Sequence, residues 1–523
     1  MVADNVVNSI ALKTLRAGGL SCVCVLASLI NACAMSPAGD ELPPSYSLPP
    51  PDEGVLHDYA ERIEARLGPD ESSFWLLDRA DFSLDARLAL VDDAVTSLDI
   101  QYFIWEKDAS AWLFARRVLR AADRGVRVRV LLDDLCVSAH EKEFASLGMH
   151  PNIEVRTFNP FGNRTTAGRV VEFMFRFGRL NHRMHNKSVI ADGRFAILGG
   201  RNIGDRYFGV YDEFVQNDLD IMAVGPVVDA VAASFDLYWN SDQAYPLEVV
   251  APRRSAKGDL AEFTAFTEAA YTAEQERLQS FSLEPTDWTE HFEDLVRDQV
   301  AGYGVYVQDL PDVYNGGPTK FYGELKDLVA RTQEKLIISS PYFIPDEEFF
   351  EQLAALVARG VRVVVLTNSL ASNNHIIAHT GYKRWRKRLL EAGIEVYESR
   401  ADSGAIDHYT TPPTEPGFLG LHSKAVVVDD RWSFVGSPNI DPRSLILNTE
   451  NGFFVESADL AARVTELIER DIQPANAWRV SLDEKGELQW TNDTNTVKRQ
   501  PATGFSQRVV EFFINLIPIK DQA

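Results

Sequence analysis

Cysteine is scarce, with four among 523 residues, at positions 22, 24, 33 and 136. The first three lie in or just after an apolar leader, so Cys136 is alone in the body and a disulfide framework is excluded. Basic charge is also short: 52 Lys and Arg stand against 76 Asp and Glu, a formal net charge of −24. Sequence-independent affinity for nucleic acid comes from Lys and Arg neutralising phosphates, so a global nucleic-acid binder is not expected. Long hydrophobic runs are absent near the N-terminus, where LSCVCVLASLI spans about 11 residues and a membrane-crossing helix needs ~20. Neither a Cys/His cluster nor a carboxylate array has metal-ligand spacing, so no metal and no cofactor are expected.

The leader itself is informative. Lys13 and Arg16 precede the apolar run, and residues 1–33 read as an export signal. Its ending, Leu29-Ile30-Asn31-Ala32-Cys33, resembles a bacterial lipobox. That resemblance implies a lipid anchor on Cys33 and a place in the cell envelope facing the periplasm, with association at the cytoplasmic membrane as the alternative. Residues 34–54, with prolines at 37, 43, 44, 49, 50 and 51, read as a polyproline-like tether holding the body off a membrane.

In the body, H-x-K-x4-D-x6-G-[GS]-x-N occurs twice. The first copy carries His185, Lys187, Asp192, Gly199, Gly200 and Asn202; the second carries His422, Lys424, Asp429, Gly436, Ser437 and Asn439. Upstream, DRGVRVRVLLDD and ARGVRVVVLTNS repeat as well, their glycines Gly125 and Gly360 lying 235 positions apart against 237 for the histidines. A nearly constant offset over several elements marks an internal duplication of whole domains. The halves are expected at 55–245 and 311–500, with an acidic helical connection at 246–310 and an amphipathic tail at 501–523. The tail's Val509, Val510, Phe512, Phe513, Leu516 and Ile517 suit a helix packed on the body, with an interfacial helix as the alternative.

Strand-like runs such as LDIQYFIW and VRVRVLLDD alternate with helical stretches such as AWLFARRVLRAAD, the pattern of an α/β sandwich with its strands at the centre. Residues two apart on a strand share a face, so His185 projects with Lys187 and His422 with Lys424. The small residues Gly199-Gly200 and Gly436-Ser437 let backbone approach a ligand closely and bring Asn202 and Asn439 within reach. Two imidazoles that titrate near ~6.5 allow one neutral nucleophile and one protonated acid, and two lysines and two carboxamides meet charge on non-bridging oxygens. This set suits transfer of a phosphoryl-type group. Asp192 and Asp429 read as structural residues closing the motif strands.

The paired motifs, together with HPNIEVRTFNPF, LNHRMHNKSVIADGRFAILGGRNIGDRYF and DLDIMAVGPVV, resemble the phospholipase D superfamily, and within it bacterial cardiolipin synthases of the C-type branch. The resemblance runs from about residue 72 to the end of the chain. It implies a duplicated phospholipase D-like α/β fold: two α-β-α sandwich halves related by a pseudo-twofold with one shared active site. It further implies a membrane-associated phosphatidyltransferase forming cardiolipin from phosphatidylglycerol and a second phospholipid, phosphatidylethanolamine, through a phosphatidyl-histidine. By similarity His185 is the nucleophile and His422 the acid and base; the residues themselves leave the order open. Family members orient their histidines with acidic residues 25 to 35 positions after each motif histidine, a window holding Asp218, with neighbouring Asp220 as a substitute, and Glu450. The alternatives are a hydrolase releasing phosphatidic acid, a superfamily nuclease, and an inactive lipid-binding scaffold, which would have no use for both histidines.

Two stretches mix aromatic and basic residues as an anionic membrane surface requires. The first holds Phe173, Met174, Phe175 and Phe177 among Arg169, Arg176, Arg179 and Arg183. The second holds Trp385 among Lys383, Arg384, Arg386, Lys387 and Arg388, and a packed helix with a solvated basic face explains it equally well.

Overall fold

The computed structural model describes residues 43–504 apart from 138–139, 253–256, 313–318 and 374, and then 507–509 and 511. The expected signal with Cys33, and Val510, Phe512, Phe513, Leu516 and Ile517 of the tail, lie outside the described residues.

The first half contains α1 (Val55–Glu64), β1 (Ser72–Leu77), α2 (Ala80–Asp93), β2 (Ser97–Tyr102), α3 (Ala109–Asp123), β3 (Arg127–Asp133), β4 (Ile153–Phe158), α4 (Thr166–Phe175), α5 (Phe177–Leu180), β5 (Ser188–Ala191), β6 (Phe195–Gly199), β7 (Val215–Asn217), β8 (Asp220–Val224), α6 (Val227–Trp239) and β9 (Ala244–Pro246). The second contains β10 (Val300–Gln308), β11 (Lys335–Ser339), α7 (Glu347–Ala358), β12 (Arg362–Asn368), α8 (Ile376–Glu391), β13 (Glu395–Ser399), β14 (Leu419–Leu421), β15 (Ala425–Val428), β16 (Trp432–Gly436), β17 (Asn451–Glu456), α9 (Ala458–Asp471) and β18 (Ala477–Leu482). Between them, helices Leu260–Ala273 and Thr289–Asp298 pack Phe263, Tyr271, Phe292 and Leu295 into the first half's core.

Strand pairing repeats the duplication in space. The first half runs β9-β4-β3-β2-β5-β6-β8-β1. The second runs β18-β13-β12-β11-β15-β16-β17-β10. Strands β1 and β10 then join antiparallel, Ser72 opposite Gly302 and Phe74 opposite Val300, so the order reads the same from either end. This is the pseudo-twofold expected of a duplicated α/β chain.

Local chemistry explains the repeated units. Helix α3 starts where the Asp108 carboxylate accepts the Ala111 N–H, and Gly125 at φ 101° follows its end. In the second half Gly360 follows α7 at φ 89°. Each glycine supplies a left-handed residue that turns the chain into the next strand. In β2 and β3 the alternate residues Leu98, Ile100, Tyr102, Val128, Val130 and Leu132 enter one core, as period-two geometry requires.

The other face of those strands carries a buried ion pair, Arg129 Nε to Asp99 Oδ1 at 2.7 Å, and Arg129 also reaches Asp236 on α6 at 2.7 Å. This pair holds the proline-rich stretch: Ser47 N–H donates to Asp236, Ser45 N–H donates to Asn240 Oδ1, and Arg129 donates to the Ser45 carbonyl. From residue 43 onward the expected tether is therefore laid along the body. Proline fixes the extended shape, but the polar groups between the prolines found partners on α6 and β3 that composition does not reveal.

Candidate active site

The histidines sit where the two halves cross. Strand β7 pairs in parallel with β14, Val215 opposite Leu419 and Asn217 opposite Leu421, and the His422 N–H donates to the Asn217 carbonyl at 2.7 Å. On the other side of the pseudo-twofold, Met184 bridges Thr449, and the His185 N–H donates to the Thr449 carbonyl at 2.9 Å. Each histidine thus follows a segment bound to the residue just before the opposite half's carboxylate. The segments are fixed in turn by the ends of β3 and β12. Asp133 accepts from Arg183 and from the Met184 N–H, while the Asn368 carboxamide exchanges two hydrogen bonds with Leu421.

The histidine–carboxylate pairs are therefore crossed. His185 Nδ1 donates to Glu450 Oε2 at 2.8 Å, and His422 Nδ1 donates to Asp218 Oδ2 at 2.5 Å. The sequence window finds both carboxylates without saying which histidine each one meets, and the geometry sets each against the histidine of the other half. The alternative, Asp220, is occupied elsewhere: it accepts from Ser83, Arg87 and the Arg201 N–H, supporting the Gly199–Arg201 turn. An ionised carboxylate only accepts, so Nδ1 carries the hydrogen and each Nε2 keeps its lone pair.

Electrostatics support that tautomer. Burial pushes His185 down to about 4 and His422 down to about 3, with neighbouring lysine charge adding to burial and the carboxylates opposing it. Burial also lowers Lys187 to about 7 and Lys424 to about 8. For Asp218 burial acts upward, yet His422, Lys424 and Arg201 outweigh it and hold the carboxyl at about 2. Glu450 likewise stays below the usual range against burial, through His185, Lys187 and the Ser437 hydroxyl. The resting site holds neutral imidazoles beside ionised carboxylates. Each lysine ammonium donates to the carbonyl of its own motif histidine at 2.5 Å, which pins the H-x-K segment.

The halves are not identical at the motif ends. Ser437 Oγ donates to Glu450 Oε2 at 2.5 Å, so Glu450 carries a second donor. At the matching place is Gly200, where a Cβ would lie 2.0 Å from Asp218 Oδ1, so only glycine fits. The carboxamides differ as well. Asn202 Oδ1 accepts the Ile104 N–H and its Nδ2 donates to Tyr207 Oη, leaving one amide hydrogen free of these contacts. Asn439 Oδ1 is buried without a hydrogen-bond partner among the described residues. Gly199, at φ 154°, and Gly436 both back directly onto neighbouring strands. Asp192 accepts the N–H groups of Val95, Thr96 and Ser97, and Asp429 those of Gln333, Glu334 and Lys335, matched turn braces outside the site.

Two aromatic residues without a motif signature close on the imidazoles. Phe103 meets His185 edge-on at 5.0 Å between centroids, and Tyr207 meets His422 at 5.6 Å. The aromatic–basic stretches separate. Phe175 is 66% and Phe177 37% exposed, whereas Phe173 is partly covered and rests edge-on against Phe177. Trp385 is half-buried, packed against Phe350 and the Arg388 guanidinium, and its neighbour Arg386 is buried on Glu398. Among the described residues no cluster of His, Cys, Asp or Glu is arranged to hold a metal ion, and no helix is long and apolar enough to cross a membrane.

Comparison with known proteins agrees with this geometry. A family described as cardiolipin synthase, PLD-like domain, matches residues 88–239 and again 325–472, one match per half. Cardiolipin synthase C of Escherichia coli (strain K12) is 35% identical over 463 residues, covering 86% of this chain and 96% of that protein. A cardiolipin synthase A of Pseudomonas putida is 26% identical over 396 residues, 75% of this chain and 66% of that protein. Among solved structures, phosphatidylserine synthase of Haemophilus influenzae Rd KW20 shares the fold, with TM-score 0.54 at 16% identity over 80% of this chain and 91% of that one. With both halves matched and a relative aligned almost end to end, the chain belongs to the cardiolipin synthase family of PLD-like phosphatidyltransferases.

Proposed function

We propose that this enzyme forms cardiolipin by moving a phosphatidyl group from a donor phospholipid, phosphatidylethanolamine, to phosphatidylglycerol. The observation that carries the mechanism is the crossed pair of buried imidazoles, each with Nδ1 bound to a carboxylate and Nε2 without a hydrogen-bond partner among the described residues. His185 Nε2 attacks the donor phosphorus; the P–N bond forms as the bond to the headgroup oxygen breaks, and that oxygen takes the proton of His422. The proton is on His422 only once the donor is bound, because its phosphodiester anion restores the charge balance that burial and two lysines deny the empty site. Neutral His422 then takes the hydroxyl proton of phosphatidylglycerol, whose oxygen attacks phosphorus and breaks the P–N bond. Lys187, Lys424 and Asn439 meet the non-bridging oxygens, while Asn202, held by Ile104 and Tyr207, positions its loop. Burial of the site favours a docked alcohol over water. We place the enzyme at a membrane in the cell envelope, anchored through Cys33 and facing the periplasm.

Purified protein with defined phospholipids, its products read by mass spectrometry, tests the reading. Cardiolipin is the expected product; phosphatidic acid alone would make the enzyme a hydrolase, and no turnover would make it a scaffold. His185→Ala and His422→Ala should each abolish turnover.

A further inference from the structure

Helix α4 (Thr166–Phe175) is folded inside out. Among its ten residues only Glu172 is buried, where its carboxylate accepts the N–H groups of Gly162 and Asn163. The apolar side points outward, with Val170 58%, Met174 64% and Phe175 66% exposed. A helix on a soluble surface ordinarily turns its apolar stripe to the core and its charges to water, so this inversion needs an apolar medium on the outside. The patch continues to either side: Leu135 is exposed beside Asp134, which binds Arg169 of α4, and Ile446 is exposed next to Leu447, whose carbonyl binds His182. His182 lies three residues before His185, so the apolar surface flanks the chain segment that carries the first motif histidine.

Charge and chain path name the covering. Partly exposed Arg176 caps the C-terminal end of α4 in a protein of net charge −24, the charge that anionic lipid phosphates attract. The described chain also begins here. Ser45 is held by Asn240 at the end of α6, and neighbouring Gln243 binds Asn159, whose carboxamide in turn reaches the Arg179 and His182 carbonyls. Only about ten residues separate Cys33 from Pro43, a reach of at most ~35 Å, so an anchor there would hold this same face toward a bilayer.

We infer that α4, with Leu135, Phe177 and Ile446, is seated in the outer layer of an anionic phospholipid bilayer and delivers lipid sideways to the crossed histidines. This deepens the phosphatidyltransferase reading and rests on it. The test uses the full chain and two substrate forms: vesicles of phosphatidylethanolamine and phosphatidylglycerol, and short-chain phospholipids dispersed as monomers. Val170→Ser, Met174→Ser and Phe175→Ser together should lower turnover on vesicles by about ten-fold or more and leave turnover on monomers unchanged. Unchanged turnover on vesicles, or an equal fall on both, overturns the inference. A diazirine-bearing residue introduced at position 174 should cross-link to vesicle lipid, and absence of lipid adducts overturns it independently of catalysis. If the unaltered chain turns over neither substrate form yet the adducts appear, the phosphatidyltransferase reading fails while docking stands.

Discussion

The crossed pairing makes a prediction that pairing within each half does not. Asp218→Asn should behave as a lesion of His422, and Glu450→Gln as a lesion of His185, although each carboxylate belongs to the other half of the chain. Asp218 is fully buried with His422, and both lysines press positive charge on the pair. Replacing the carboxylate by a carboxamide removes a charge-assisted hydrogen bond worth roughly 1.5–3 kcal/mol and the lock on the Nε2 lone pair. It also leaves the developing imidazolium uncompensated in a low dielectric. Together these correspond to roughly 4–5.5 kcal/mol of transition-state stabilisation, or about 10³–10⁴-fold in rate, the scale seen when a catalytic histidine loses its carboxylate. The assay is single-turnover formation of phosphatidyl-enzyme from two donors, a natural one and one with a nitrophenol leaving group. A nitrophenolate needs no proton to depart, so loss of the general acid is rescued and loss of the nucleophile is not. His422→Ala and Asp218→Asn should be rescued together; His185→Ala and Glu450→Gln should remain impaired together. If Asp218→Asn sorts with His185→Ala, the crossed pairing is refuted, whichever histidine is the nucleophile.

Acid should weaken the fold through the same residues. His185 and His422 titrate at about 4 and about 3 when folded and at ~6.5 unfolded, so below pH 6.5 the unfolded chain takes up protons that the folded chain refuses. The thermal midpoint should fall as pH drops from 6.5 toward 4, by up to roughly 3 kcal/mol of stability for His185. A His185→Asn, His422→Asn double variant should show a shallower fall, and an equally steep one would contradict the buried neutral imidazoles. Gly200→Ala should push Asp218 off His422 and destroy turnover, at a packing cost of roughly 1–3 kcal/mol seen in the melting temperature. Ser437→Ala, by contrast, should fold normally and move the acid limb of the pH–rate profile upward, because Glu450 loses a donor that stabilises its charge. An unmoved acid limb would show that the hydroxyl does not tune Glu450.

Much of the site was legible along the chain because its chemistry is repeated. Period-two geometry places His185 beside Lys187 and His422 beside Lys424, and the constant offset between copies shows that two halves act together. Asp218 and Glu450 were legible as residues but not as partners, since spacing along one half says nothing about which strand lies across the crossing. Trp385 was ambiguous for a similar reason: a basic face around an aromatic suits a bilayer or a core, and the packing of Trp385 on Phe350 and of Arg386 on Glu398 comes from residues on other elements.

The α/β class, the duplication, the six motif side chains and the absence of a disulfide framework follow from the sequence alone, because periodicity, repetition and residue inventory are local properties. Tertiary structure alone decided that each imidazole is oriented from the other half, that Asn202 is held while Asn439 Oδ1 has no hydrogen-bond partner among the described residues, and that α4 turns its apolar side outward. The crossed orientation depends on where β7 meets β14 and Met184 meets Thr449, contacts between residues more than 200 positions apart that no local preference of the chain encodes.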